Sequence, residues 1–187
     1  GPFLNCAKIG NPLMLPLLLE NNKYVIDYKS LEQLFIKHDV KALLLCNPHN
    51  PGGRVWNKEE LERLVLLCKQ YQVTILSDEI HGDFIIGNQK YVSLIEFIIV
   101  STSPNKTFNI SGLTTSFVLI ASEELRNQYI QYLNQLHISV NRLGIDMIEY
   151  VYTYGKDWYK ELIDVLKENI KVISETCKDI GFDVMDV

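Results

Sequence analysis

Two short apolar runs separated by one amphipathic stretch constrain this chain more than anything else in it. Residues 41–46 (K-A-L-L-L-C) and 73–77 (V-T-I-L-S) are largely apolar. Such runs suit strands covered on both faces, as in a parallel sheet. Between them Asn57 can cap a helix with Glu60 as its capping-box partner, and Leu61, Leu64, Val65 and Cys68 follow at i, i+3, i+4 and i+7. Strand, helix, strand within about 37 residues is a βαβ unit, and its crossover is expected to be right-handed.

The remaining pattern extends that unit. A helix is expected over 30–38, with Ser30 and Gln33 as a capping-box pair and Leu31, Leu34 and Phe35 on one face. Further strands are expected at 97–102 and 115–120, and helices at 123–137, 143–154 and 158–179. On the last helix Tyr159, Leu162, Ile163, Leu166, Ile170, Ile173 and Cys177 line one side; Asp157 can cap it and Gly181 can end it. The alternation predicts an α/β fold with a mostly parallel sheet flanked by helices.

Composition narrows the function classes. At 187 residues, 47% apolar and 22% charged, the chain is globular and about one domain long. A net charge of −5 argues against a nucleic-acid partner. No apolar run reaches the roughly 18 residues of a membrane helix, and 13–19 is interrupted by Pro16. Residues 1–4 carry no export signal, so a cytoplasmic location without membrane attachment is expected. Cys6, Cys46, Cys68 and Cys177 show no zinc spacing; reduced thiols are expected, the last three as small core hydrophobes.

Chemistry in parallel sheets gathers where strands end at their carboxyl edges. Three polar clusters follow predicted strands: N-P-H-N-P-G-G at 47–53, S-D-E-I-H at 77–81 and S-T-S-P-N-K-T-F-N at 101–109. Lys106, between Pro104 and Phe108, could form a Schiff base; an aspartate such as Asp78 could pair with a protonated ring nitrogen. Pyridoxal phosphate needs both, together with donors to its phenolic oxygen and its phosphate. Asn50 or His81 could serve the first, and Ser101, Ser103 or Thr107 the second.

Taken together, L-L-C-N-P-H-N-P-G-G-R-V-W (44–56), S-D-E-I-H (77–81) and P-N-K-T-F-N-I-S-G-L (104–113) resemble the class I/II aminotransferase family of pyridoxal-phosphate enzymes. Within it they look most like the branch of cystathionine β-lyases and related carbon–sulfur lyases. The resemblance runs from about residue 3 to at least 171. It implies the fold type I large domain, with 1–155 as part of that domain and 156–187 as an interdomain helix leading into a small one. It implies that Lys106 forms the Schiff base and moves the Cα proton. Asp78 would pair with the pyridinium nitrogen, Asn50 and His81 would bond the phenolic oxygen, and Ser103 would help to hold the phosphate. A homodimer acting on a small amino-acid substrate is also implied.

Two departures bear on this. Asn105 precedes the lysine where Ser is usual, and Thr114 stands where aminotransferases often carry a phosphate-binding Arg. The second favours a lyase over an aminotransferase of the same fold. A non-catalytic member of the fold with a regulatory role is the alternative outside enzymes. Family members are roughly twice as long, so the resemblance implies a central piece incomplete at both ends. A phosphate loop and a carboxylate-binding Arg would lie outside it, and weak cofactor binding and little turnover are expected of these residues alone.

Two other readings are set aside. His49, His81, Asp78, Glu79 and Asp83 lack metal-ligand spacing, so no metal is expected. Tyr150, Tyr152, Tyr154, Trp158 and Tyr159 are expected to pack in core and interface rather than stack on nucleic-acid bases.

Overall fold

A computed structural model describes residues 10–95 and 98–185. Strands β1 (Leu18–Glu20) and β2 (Lys23–Val25) form an antiparallel hairpin. Helix α1 (Tyr28–Lys37), strand β3 (Ala42–Cys46), helix α2 (Lys58–Gln70) and strand β4 (Thr74–Asp78) follow. After β4 come strands β5 (Ile99–Thr102) and β6 (Phe117–Ile120), then helices α3 (Glu123–Gln135), α4 (Arg142–Tyr154) and α5 (Lys156–Asp179). The second sheet has the order β3-β4-β5-β6. Its first three strands are parallel and β6 is antiparallel to β5. This is the expected α/β architecture with a mostly parallel sheet. Residue 97, where the third strand was expected to begin, lies outside the described residues, as does Cys6.

The βαβ unit forms where the sequence pattern puts it. Asn57 and Glu60 cap α2 reciprocally: Glu60 N donates to Asn57 Oδ1 and Asn57 N to Glu60 Oε2, each at 2.8 Å. Leu61, Leu64, Val65 and Cys68 turn inward and are buried. They pack with Leu31, Phe35, Leu45, Trp56, Val73, Ile75 and Leu94 in one core. In register, Leu43 faces Ile75 and Leu45 faces Ser77, which places these side chains on the core face.

Several local expectations are corrected. Asp27, not Ser30, caps α1: its Oδ1 accepts Ser30 N at 3.0 Å, so the helix starts earlier and Ser30 becomes a donor in the first turn. That bond also holds the Asp27 carboxyl below the usual carboxylate range. Strand β3 is not covered on both faces. It is an edge of the sheet, and Leu44, on the face away from the core, is 38% exposed. Asp157 does not cap α5. Gly155 occupies that position without a side-chain cap, and Asp157 sits in the first turn, where its charge suits the helix dipole. Ile173 is 59% exposed rather than on the covered side. Of the cysteines, Cys68 is fully in the core, while Cys46 and Cys177 are half-buried. Gly181 ends the helix as expected: at φ +81° it lets its own N–H reach Lys178 O and that of Phe182 reach Cys177 O.

The aromatic cluster on α4 and α5 splits. Tyr152 packs edge-on against Phe108 and Phe117, and Tyr159 is half-buried. Tyr150, Tyr152, Tyr154 and Trp158 are all more than half exposed, so none of them belongs to the core of the described residues. No helix among the described residues is long and apolar enough to cross a membrane.

Helix α4 approaches the segment after β5 closely because two glycines allow it. A Cβ at Gly144 would meet Thr115 Oγ1 at 1.9 Å, and one at Gly155 would meet Phe108 Cε1 and Val151 O at 2.4 Å. Gly155→Ala is expected to destabilise the fold by about 1–3 kcal/mol, the cost of overpacking a filled site. Gly112→Ala, where nothing lies within 4 Å, is expected to leave it nearly unchanged. Urea unfolding of both variants checks the contrast, and equal losses contradict it.

Candidate functional site

The parallel register brings the carboxyl ends of β3, β4 and β5 to one edge, and each end opens into one of the three polar clusters. The first runs from Asn47 to Gly53. Asn47 is fully buried: its N donates to Asp78 O at 3.0 Å and its Nδ2 to Val92 O at 2.9 Å, which stitches the loop to the end of β4. His49 and Arg54 form a bridge across the loop, and His49 Nδ1 accepts Gly52 N at 3.2 Å. Arg54 closes it through Nε to Tyr24 O and Nη2 to Glu60 Oε1, both at 2.6 Å, with its guanidinium 5.0 Å from the Trp56 ring. Asn50 is left exposed at the crest.

The second cluster begins at the end of β4. Asp78 Oδ1 accepts Ile80 N at 3.2 Å, and the residue is half-buried. Glu79 points the other way and is 3% exposed. It accepts from Ser77 Oγ at 3.0 Å, Leu94 N at 3.2 Å, Asn47 Nδ2 at 3.5 Å and the Tyr91 hydroxyl. His81 comes back toward the first loop, where its Nε2 stands 3.1 Å from Asn50 Nδ2.

The third cluster carries Lys106 on a turn. Phe108 N donates to Pro104 O at 2.9 Å and Ile110 N to Asn105 O at 3.1 Å. Lys106 itself is exposed, not enclosed by apolar neighbours as its flanking residues had suggested; Pro104 is buried beneath it and Phe108 turns to α4. Ser103 is 2% exposed. Its hydroxyl donates to Thr115 O at 2.6 Å and accepts Asn105 N at 3.1 Å, so it braces the lysine turn. Thr107, a candidate phosphate donor by sequence, is 1% exposed and donates to Asp83 Oδ2 at 2.6 Å instead. Thr114 takes a left-handed conformation at φ +47°, rare for a β-branched residue, where the chain turns back into β6.

Electrostatics tie three of the clusters' residues together. Burial is the largest influence on His81 and lowers its pKa; Asp78 pulls it up and Lys106 pushes it down. Asn50, Asp78, His81 and Lys106 thus share one edge, while Ser103 faces inward behind the lysine. Beside Asn50 and His81 lies a cleft of about 470 Å³, walled by Val55, Phe84, Ile86 and Ile170. Among the described residues no three His, Cys, Asp or Glu side chains are grouped as metal ligands.

Sequence reasoning missed the roles of Glu79, Asp83 and Asn47. All three act across long sequence separations, and the one available signal was their place beside residues already singled out.

This arrangement has counterparts. The sequence model for aminotransferase class I and II matches residues 13–187. Cystathionine beta-lyase PatB of Bacillus subtilis is 34% identical over 163 residues, which cover 83% of this chain and 42% of that protein. The crystal structure of cystalysin from Treponema denticola, which contains a pyridoxal 5'-phosphate cofactor, superposes with a TM-score of 0.87 at 29% identity, over 95% of this chain and 48% of the other. The PLP-bound C-S lyase from Staphylococcus hominis gives a TM-score of 0.87 at 27% identity, over 95% and 47%. The chain therefore spans about half the length of the relatives it matches. A family match over nearly all of its residues, and a fold shared with solved members, leave one assignment: the chain belongs to the class I and II aminotransferase family.

Proposed function

We propose that the chain is the lysine-bearing part of a pyridoxal-phosphate-dependent carbon–sulfur β-lyase. The reaction takes an amino acid with a sulfur substituent on Cβ, such as cystathionine, and water, and yields a thiol, pyruvate and ammonia. The observation that carries this reading is the convergence of Asn50 and His81, 3.1 Å apart, at the strand edge that also presents Asp78 and Lys106. The donor set fits the cofactor: a carboxylate for a protonated ring nitrogen, two polar groups for a phenolic oxygen, and an exposed amine free to reach a carbonyl carbon. The relatives named as cystathionine β-lyase and C–S lyase support the choice of reaction.

When bound, the cofactor supplies an electron sink for the charge left at Cα. Lys106 would anchor it through its amine, and, once freed by the substrate, that amine would take the proton from Cα and could pass it to the departing thiolate. Asp78 would pair with the protonated ring nitrogen. Asn50 and His81, whose Nδ2 and Nε2 stand 3.1 Å apart, would bond the phenolic oxygen. Ser103 keeps its place on the phosphate side, through the turn that its hydroxyl braces. We assign residues 1–155 to part of the large domain and 156–187 to the interdomain helix and the start of a small domain. The whole protein is read as a cytoplasmic homodimer acting on small molecules, with neither nucleic acid nor membrane as partner. The exposed Leu143, Tyr150 and Tyr154 support an apolar contact surface for such an assembly.

Borohydride reduction of the protein mixed with pyridoxal phosphate is expected to fix the cofactor on Lys106, as read by peptide mapping. Lys106→Ala is expected to lose that product, the visible absorbance and thiol release from cystathionine; retention of all three defeats the assignment. Pyruvate that accumulates without a keto-acid acceptor marks a lyase, and dependence on an acceptor marks an aminotransferase. Asp78→Asn is expected to slow Cα proton exchange roughly 10²-fold, the usual loss when one preorganised electrostatic partner is removed.

Burial lowers the pKa of both His49 and His81 below 6.5. The folded protein therefore holds both imidazoles neutral where the unfolded chain takes up protons. Stability is full above pH 6.5 and declines as pH falls through that value. Histidine titration by NMR is expected to place both midpoints below 6.5, and Lys106→Met is expected to raise that of His81. A His81 midpoint above 6.5 in the unmodified protein contradicts this.

A further inference from the structure

Asp83 is a carboxylate of the site loops that has no part in the proposed chemistry. Asp83 lies two residues beyond His81 and is half-buried. Its Oδ2 accepts the hydroxyl of Thr107, the residue after Lys106, at 2.6 Å. Both residues also hold the start of helix α5. Tyr159 donates its hydroxyl to Asp83 O at 2.9 Å, and Trp158 Nε1 donates to Thr107 O at 3.4 Å. Two loops and one helix are thus closed into a ring of contacts.

The ring has the features of a clamp. A hydroxyl that donates to an ionised carboxylate makes a stronger bond than a neutral pair does. Thr107 is 1% exposed, so its hydroxyl is shielded from solvent on the donor side of that bond. The backbone bonds from Phe108 to Pro104 and from Ile110 to Asn105 shape the lysine turn from within but attach it to nothing else. Ser103 and Asn105 attach it to Thr115, ahead of β6. Thr107 attaches it on the opposite side, to the loop that carries His81.

We propose that Asp83 is a positioning residue for Lys106. Through Thr107 it holds the lysine turn in register with the His81 loop and with the first turn of α5. The amine and the imidazole are thereby presented to one substrate, although they come from different strands. The significance of Lys106 rests on the function proposed above; the clamp rests on the contacts themselves.

Hydrogen exchange and cofactor fixation separate the two. In Thr107→Val, which keeps the shape and loses the donor, amide exchange over residues 104–110 and around Trp158 and Tyr159 is expected to rise together, while β3 and β4 stay protected. Asp83→Ala is expected to loosen the same two segments, and the double variant to add nothing to either single. Thr107→Ser, which restores the hydroxyl, is expected to restore protection. In parallel, the yield of borohydride-fixed cofactor on Lys106 is expected to fall roughly tenfold or more in Thr107→Val and to recover in Thr107→Ser. If Thr107→Val does not fold, Asp83→Asn carries the comparison, because it keeps the size and removes the charge. Unchanged exchange over 104–110 in both Thr107→Val and Asp83→Ala overturns the clamp, as does a Thr107→Ser variant no better than Val. Failure of the unmodified protein to take cofactor on Lys106, with the turn loosened as expected in the variants, defeats the proposed function and leaves the clamp standing.

Discussion

The carboxylate of Glu79 is the constraint around which the strand ends are arranged. It lies at 3% exposure and, among the described residues, its partners are hydrogen-bond donors with no salt bridge to it. The donors come from three places: Ser77 from β4, Asn47 from the end of β3, and Tyr91 and Leu94 from the segment before β5. A buried carboxylate that lost these donors would carry a desolvation penalty of several kcal/mol. The loops therefore gather around Glu79, and its neighbour Asp78 is turned to the opposite side of the strand, toward the open edge. The same hydroxyl that serves Glu79 is affected by it: burial and the carboxylate together drive the Tyr91 phenol far above its usual range, so Tyr91 remains a donor. The presentation of one acid depends on the burial of the next.

What could be read from the sequence was what is decided locally. The reciprocal cap of Asn57 and Glu60 spans three residues, and the spacing of Leu61, Leu64, Val65 and Cys68 reports one helix face; both came out as expected. Local signals also compete, and there the pattern misled. Asp27 and Ser30 are both good caps, and the one that starts the helix earlier prevailed. Leu44 looked like a core residue because the run K-A-L-L-L-C carries no sign of which strand lies at the edge of a sheet. The site divides in the same way. Asn50, Asp78, His81 and Lys106 could be singled out because each lies at, or a few residues after, the end of a strand of recognisable pattern. The contacts of Asp83 with Thr107 and Tyr159, separated by 24 and 76 residues, leave no periodic trace.

Solved relatives superpose on nearly all of this chain, which accounts for the sheet order and the long final helix. They extend to about twice its length, while this chain leaves apolar side chains exposed ahead of β1, on α4 and past the end of α5. Met14, Leu143, Tyr154 and Phe182 are all more than half open to solvent. A domain of this size ordinarily covers such side chains. Their exposure is a property of these residues considered by themselves, and it marks surfaces with capacity for further packing.

Gly155 closes α4, opens α5 and lies under the ring of Phe108. A helix start without a side-chain cap has its direction set from outside, and here the outside is the lysine turn. The angle between the two helices and the attitude of that turn are consequently not separate variables. A side chain added at Gly155 would press at once on Val151 O in the last turn of α4 and on Phe108, two residues from Lys106.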